Sequence, residues 1–589
     1  MRLLVSSEEL LLELTPLLRQ FDRAAMNLQL PDHGCRDLFD ETVTVVDVLS
    51  PASTKSIHDQ LSIAAQSWLM TEQRPQPRAN LKLLRPLFEN VNYLERANFY
   101  FVRGTVNEGF TEFDSQLGVA ALCRDREGAI VSIQGTIDVV WQRSADAPPG
   151  AESWRIKSWL MRHLQTMHST QHLFAEFPRS VFPDPGTRQR TVVSQHNRLL
   201  QRHYYRGREA TADREREDTR FFPIATAFHP GISVVDINRD GWDDLYVSVR
   251  WGKNMLLVNQ QDGTFAEQAA DFGLDIDGRT NSAIFADFDN DGDIDAMLAR
   301  GTERSIYLVN EEGRFVDRSS DLVDAPLPYE ATSLSAADFN GDGLLDVYFC
   351  TYHQDDIQNR IDADLSHPDH RIHTYLSPED SAELRRRHRN ENRSFLSHVG
   401  PPNVLLVNQG NGRFGRAAQQ DEAALWRNSF QATWADYDND GDPDLYVAND
   451  FSADFLLRND GEQGFTDVTD QGVATLGFGM GASWGDIDQD GNQDLYVSNM
   501  ASKAGVRITA SIDGVDPNIA LLASGNYLYR QHEGRFQLVP STSKKMPVAK
   551  AGWAWGGQFA DFDNDGHLDI YVPHGYNTPP DEFASEDDL

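Results

Sequence analysis

The sequence is short of cysteine, of basic charge and of long apolar runs, and each shortage excludes something. Its three cysteines, Cys35, Cys123 and Cys350, lie far apart. They form no CxxC zinc pattern and no disulfide framework. No run of 18 apolar residues exists, so no transmembrane segment is expected. Lys and Arg number 53 against 90 Asp and Glu, a formal charge of −37. A chain this acidic repels a phosphate backbone, which argues against a nucleic-acid partner and for cation binding. The first residues, MRLLVSSEELLLELTPLL, carry Glu8, Glu9 and Glu13, which break any signal-peptide apolar region. At 40% hydrophobic and 10% aromatic, the 589 residues hold ample material for a core. Length alone suggests three or four domains, fewer if one is a large β structure.

The negative charge is concentrated in one pattern, D-x-[DN]-x-D-G-x-x-D, which occurs six times. The copies read DINRDGWDD from Asp236, DFDNDGDID from Asp287, DFNGDGLLD from Asp338, DYDNDGDPD from Asp436, DIDQDGNQD from Asp486 and DFDNDGHLD from Asp561. Their spacings are 51, 51, 98, 50 and 75 residues. Oxygens at positions 1, 3, 5 and 9 of a tight loop can converge on one hard cation. In chain order these are Asp236, Asn238, Asp240 and Asp244; Asp287, Asp289, Asp291 and Asp295; Asp338, Asn340, Asp342 and Asp346; Asp436, Asp438, Asp440 and Asp444; Asp486, Asp488, Asp490 and Asp494; and Asp561, Asp563, Asp565 and Asp569. The main-chain carbonyl of position 7 (Trp242, Asp293, Leu344, Asp442, Asn492 and His567) is a natural further ligand. Glycine at position 6 permits the positive φ that folds the loop back. Ca²⁺ takes six to eight oxygens in flexible geometry, whereas Mg²⁺ demands a stricter octahedron. No Cys or His side chain belongs to the repeated set, so zinc and copper fit these loops poorly.

An EF-hand also begins D-x-D-x-D-G, but it needs a glutamate at position 12 and flanking helices. Here position 12 is Val247, Leu298, Phe349, Val447, Val497 and Val572. The residues after each loop (LYVSV, AMLA, VYF, LYVAN, LYVSN, IYV) and before it (SVV, SAIFA, SLSAA, QATWA, ASWG, GQFA) are β-branched, aromatic and small, which predicts strand–loop–strand turns.

A second element follows most loops: MLLVNQQDGTFAE, IYLVNEEGRFVD, VLLVNQGNGRFGR, FLLRNDGEQGFTD and YLYRQHEGRFQL. Each reads as a strand, a glycine turn and a Phe that opens another strand. Four short strands in about 50 residues make one β-propeller blade. These units resemble the FG-GAP/VCBS repeats of integrin-α-type propellers. SNMASKAGVRI, GNYLYR and GWAWGGQFADFDNDG resemble more narrowly the bacterial and cartilage-acidic-protein-like VCBS proteins. The resemblance covers about residues 221–575 and implies a mainly β fold, a six- or seven-bladed propeller with about six structural Ca²⁺. A seventh blade, lacking the loop, could draw on residues 221–231 and the C-terminal strands. Such relatives often continue into an ASPIC/UnbV module, and none follows before Leu589.

The expected boundaries are an α+β domain over 1–165, a helical polar connector over 166–220, the propeller over 221–578 and an acidic tail over 579–589. In the first domain LLLELTPLLRQFDRAAM predicts a helix and the stretch near Ile57–Leu69 a second, before the strands NFYFVRGTV, QLGVAALCRD, AIVSIQGTIDVVWQRS and SWRIKSWLMRHL. This order resembles the SnoaL/NTF2-like cone. Asp138, Trp141 and His163 could line its interior, though structural roles fit them better. An insertion over 351–402 holds His353, His367, His370, His373, His388 and His398, and HPDHRIH sets three of them at i, i+3 and i+6. A transition-metal or catalytic site there competes with a polar loop bearing a helix, PEDSAELRRRHRNENRS. A second insertion lies around 502–524.

The functional expectation is a calcium-binding, extracytoplasmic propeller for adhesion, ligand binding or scaffolding. Its partner would be a protein or carbohydrate on one face, and it could be a homo-oligomer or an assembly subunit. Trp251, Trp426, Trp484, Trp553 and Trp555 could stack on sugars, but blade spacing fits core roles better. No catalytic residue is assigned, since no Ser/His/Asp order or phosphate-binding glycine loop is present. The alternative is an enzyme with its site in the N-terminal cone or the histidine-rich insertion. Calcium sites of about 10⁻⁵–10⁻³ M affinity fill outside cells. Six divalent ions carry twelve positive charges and would bring the formal charge from −37 to −25.

Overall fold

The computed structural model describes residues 2–170, 179–192 and 231–575, apart from 33, 59–61, 145–149, 250, 354–364, 366, 368–369, 391–397, 418–419, 503–521, 523 and 541–548. The chain is mainly β. It divides into two compact units, one over Met1–Phe177 and the other over Pro178–Ser502 with Asp516–Pro580.

The first unit pairs one long helix, α1 (Arg2–Met26), with an eight-stranded sheet. The strands β1 (Phe39–Val46), β2 (Val48–His58), β3 (Ile63–Met70), β4 (Arg74–Pro77), β5 (Val91–Val106), β6 (Glu112–Asp125), β7 (Ile130–Arg143) and β8 (Trp154–Ser169) run in the order β2-β3-β8-β7-β6-β5, with β1 joined to β4 and β8. Every third or fourth residue of α1 is apolar, and Leu11, Leu14, Leu18 and Phe21 are buried against this sheet. Phe21 meets the rings of Phe39, Phe99 and Trp159 at 5.6–5.9 Å. Gly118 is dictated by space, because a Cβ there would lie 2.3 Å from the Tyr100 ring.

Two expectations for this half need correction. The helix read near Ile57–Leu69 is the end of β2 and the strand β3. Its apolar residues satisfy a helical spacing, but pairing with β2 and β8 wins, burying Trp68 and Ala65 and leaving Ile57 and Leu69 outside. The connector read from residue 166 begins in strand, since β8 reaches Ser169, and its described helices are the short turn Arg179–Val181 and Pro185–Val192. The rest of it, the tail 579–589 and most of 221–231 lie outside the described residues, as does most of the second insertion.

Among the described residues, besides the short pairing of Ser452–Ala453 with Leu476–Gly477, the second unit holds five four-stranded antiparallel sheets, each a meander, and a two-stranded sixth. They begin at Ile232, Thr280, Ala331, Asn428, Gly481 and Gln558. Each acidic loop joins the first strand of a sheet to the second. The first strands pack on one another in order, from Ile232–Val235 to Gln558–Ala560. Small polar side chains join them: Ser233 Oγ donates to Ala283 O (2.7 Å), Asn281 Nδ2 to Ala331 O (2.6 Å) and Ser333 Oγ to Phe430 O (2.7 Å). These are propeller blades. Residues 221–230, from which a seventh was expected to draw, lie outside the described residues.

Between blades the contacts are aromatic. Loop position 2 of one blade meets the turn Phe of the next: Phe288 with Phe414 at 5.7 Å, Phe339 with Phe465 at 5.6 Å and Tyr437 with Phe536 at 5.6 Å. At the two ends of the series, Ile232 and Val234 of the first sheet and Phe562 of the sixth loop are exposed.

Phe288 is fully buried between two blades. Phe288→Ala is therefore expected to lower the stability of the second unit by about 3–5 kcal/mol. Urea unfolding followed by tryptophan fluorescence checks this.

Candidate metal centres

Each acidic loop is tied by its own main chain before any ion is considered. The position-1 aspartate accepts the position-5 N–H on one oxygen and the position-6 N–H on the other, at 2.8–3.2 Å in all six copies. The position-5 Oδ1 accepts the position-7 N–H at 2.7–3.0 Å. Two residues per loop take the left-handed conformation. The glycine at position 6 is one, at φ 84–102°. Position 4 is the other, missed in the sequence: Arg239, Asn290, Asn439, Gln489 and Asn564 lie at φ 56–62°, and the third loop has Gly341 there. Three asparagines and a glycine among six residues were the available signal.

The position-9 aspartate does most to hold the blade. Asp244, Asp295, Asp346, Asp444 and Asp494 are at most 1% exposed. Their Oδ1 accepts the main-chain N–H of Asn259, Asn310, Asn408, Asn459 and Gln531, at the end of the third strand, at 2.7–2.8 Å. The Oδ2 of Asp244, Asp444 and Asp494, and that of the exposed Asp569 in the sixth loop, also accepts the position-2 N–H. The third-strand amides continue outward. Asn408 Nδ2 donates to Phe288 O, Asn459 Nδ2 to Phe339 O and Gln531 Nε2 to Tyr437 O, at 2.6–2.7 Å, each reaching the loop of the preceding blade. The repeated VNQ, VNE and RND were visible in the sequence, but nothing local marks them as links between blades.

In four copies three of the loop carboxylates converge. One oxygen each from Asp287, Asp289 and Asp291 lie within 4.8 Å of one another. The same holds for Asp436, Asp438 and Asp444, for Asp486, Asp488 and Asp490, and for Asp561, Asp563 and Asp565. The other two loops have asparagine at position 3, and its amide oxygen accepts the position-5 N–H as the aspartates of the second and sixth loops do (Asn238 and Asn340, both 3.0 Å; Asp289 and Asp563, both 3.1 Å). The side chains of position 7 are dispensable to the cage, and that of Trp242 is exposed. Burial pushes Asp295, Asp346 and Asp444 up to about 7, and neighbouring loop carboxylates push the same way. A divalent cation among them would reverse both effects. In the fifth loop Arg530 contacts Asp488 and lies 3.7 Å from Asp494.

Five stretches match the FG-GAP-like repeat: 236–298, 289–349, 395–447, 436–497 and 516–572. The chain carries FG-GAP-like repeats. It is 32% identical over 124 residues to cartilage acidic protein 1 of Mus musculus, covering 20% of this chain and 19% of that protein. The Homo sapiens protein is 31% identical over the same length, covering 18% of it. The chain thus spans about a fifth of the length of these curated relatives. Among solved structures, the V. cholerae biofilm matrix protein Bap1 aligns over 53% of this chain and 39% of its own, at 15% identity and a TM-score of 0.27.

The histidines of HPDHRIH do not assemble as a trio. His373 Nε2 bonds Leu365 O at 3.0 Å, and His370 instead joins His353 and Glu330. The expected helix forms over Pro378–Asn390. Trp251 is buried, Trp484 stacks on Tyr437, and Trp553 and Trp555 stack on each other, half-buried. In the first unit Trp141 is buried and donates to Ser115 Oγ at 3.0 Å, Asp138 pairs with Arg162 at 2.6 Å, and His163 is exposed.

Asn459→Ala is expected to cost about 1–3 kcal/mol, because it strands the buried Phe339 carbonyl. Chemical denaturation checks it. Asn259→Ala, whose amide donates to Asp243 O in an exposed setting, should cost less.

Proposed function

We propose that the protein is a calcium-stabilised, extracytoplasmic FG-GAP β-propeller whose blades present a binding or scaffolding surface to a protein or carbohydrate. The observation that carries this reading is the sixfold recurrence of one loop geometry tied by its own main chain, in four copies of which one oxygen from each of three carboxylates lies within 4.8 Å of the others. An all-oxygen cage of three or four carboxylates suits Ca²⁺. Millimolar calcium outside cells fills sites that a cytosol would leave empty, which supports the location. The acidic surface supports a partner other than nucleic acid. The helix-on-sheet first unit we read as an NTF2/SnoaL-like module, its interior packed with aromatic rings, that docks or dimerises.

Calcium binding stabilises the folded state by mass action, about 2.7 kcal/mol for a site held at 100 times its Kd. Adding EGTA to the full chain should therefore lower the melting transition of the second unit by many degrees and leave that of the first unchanged, in differential scanning calorimetry. Unchanged melting would sink the proposal. Asp289→Ala should remove one calcium equivalent in isothermal titration and leave the fold intact by circular dichroism.

The raised carboxyls give a pH signature. In chelator, the native state keeps protons on Asp295, Asp346 and Asp444 that the unfolded chain releases near pH 4. Their contribution to stability is present below pH 4 and is lost as the pH rises to about 7. Calcium should flatten or invert this slope, which melting curves between pH 5 and 8 can read.

Arg530 stands where the first three blades carry Val258, Val309 and Val407. Its guanidinium competes with a cation for Asp488. Arg530→Val is expected to tighten the weakest calcium step about tenfold, again by titration calorimetry.

A further inference from the structure

One group of buried ligating side chains lies outside the acidic loops. Glu330 precedes the first strand of the third sheet, in the left-handed region at φ 58°, and is 7% exposed. A glutamate in that conformation is strained, and such strain gathers at functional positions. Its main chain is fixed by Glu330 N to Gly301 O (3.1 Å) and Tyr352 N to Glu330 O (2.9 Å). His353 follows the second strand of the same sheet, with its N–H on Asn428 Oδ1 at 3.0 Å. His370 comes from the insertion, just before the turn Arg371–Thr374, and is 1% exposed.

One ligand atom from each of Glu330, His353 and His370 lies within 4.8 Å of the other two. His353 Nδ1 and Glu330 Oε2 are 2.9 Å apart. Two ligands at about 2.1 Å from one metal ion stand about 3.0–3.4 Å apart, so this edge already has close to the needed length. Arg371 Nη2 holds the other oxygen, Oε1, at 3.1 Å, which orients the carboxylate and leaves Oε2 for an ion. His370 Nδ1 takes the Ile372 N–H at 3.2 Å, a long bond that coordination would replace.

The donor set differs in kind from that of the loops. It has one carboxylate and two imidazoles, and Arg371 and the buried Arg279 lie near that carboxylate. A hard ion that depends on several negative ligands finds one here. Borderline ions that accept imidazole find two.

We infer that Glu330, His353 and His370 form a binding site for a borderline divalent transition ion of the Zn²⁺ class, separate from the acidic loops, that fastens the insertion to the third blade.

The test uses the full chain in excess Ca²⁺, which keeps the acidic loops filled. Co²⁺ is titrated and the visible spectrum recorded for the wild type, His370→Gln and Glu330→Gln. The expected result is one equivalent with the intense bands of a low-coordinate imidazole site, lost in both variants, and a Zn²⁺-dependent rise in melting temperature only in the wild type. Equal uptake and identical spectra in wild type and variants would overturn the inference. Should a variant fail to fold, X-ray absorption at the zinc edge of the loaded wild type decides. Imidazole scattering supports the site, and an oxygen-only shell or no retained zinc overturns it.

Discussion

The propeller depends on a buried carboxylate at the ninth position of the first five acidic loops. That aspartate accepts N–H groups from the loop's start and from the third strand, so it closes the blade across three strands with one side chain. It is also the residue that an ion would neutralise. An ionised group at 0–1% exposure is expensive without a partner, and the two N–H donors cover only part of that expense. The atoms that close the blade are therefore the same ones a bound cation would meet. The third-strand Asn or Gln carries the link outward to the loop of the blade before it, so a strain in one loop reaches its neighbour within two hydrogen bonds.

Much of this was legible because the chain repeats itself. Six copies let the invariant positions stand out from the variable ones without any second sequence, and the apolar residue at position 12 excluded an EF-hand outright. The strands around the loops followed from β-branched and aromatic runs. What escaped was whatever depends on contacts between repeats. The asparagine of VNQ looks like a turn residue; only the packed blades show its amide on Phe288 O or Phe339 O. The stretch 57–69 was misread because a short apolar run fits a helix and a strand alike, and the neighbouring strand decides. In the insertion, local spacing drew attention to three histidines of one heptapeptide. The structure instead selects one of them and joins it to residues 17 and 40 positions away, His353 and Glu330, which share no local pattern with it.

The two kinds of acidic chemistry in the second unit are opposites. In the loops carboxylates crowd together and burial raises their pKa values; a positive charge is wanted. At Glu330 burial acts in the same direction, yet the carboxyl is held down at about 2, because His353, Arg371 and His370 outweigh it. A buried acid kept ionised by imidazoles and a guanidinium needs no calcium. This separates the two regions by ligand type as well as by place.

The variation among the six loops follows from which atoms each position uses. Positions 1 and 9 are always aspartate, since both oxygens of the first bind main-chain N–H groups and the second spans three strands. Position 3 alternates between Asp and Asn because one side-chain oxygen meets its local requirement, so the exchange alters charge more than geometry. Position 7 ranges over Trp, Asp, Leu, Asn and His because the hydrogen bond common to all six loops uses its main-chain N–H, and only Asn492 adds a side-chain bond to its own loop, to Asp490. The third strand adds a further control, valine in three blades and arginine in two. Arg458 is drawn aside by Asp460 at 2.8 Å, while Arg530 reaches into the loop. The loops thus share one scaffold but not one charge.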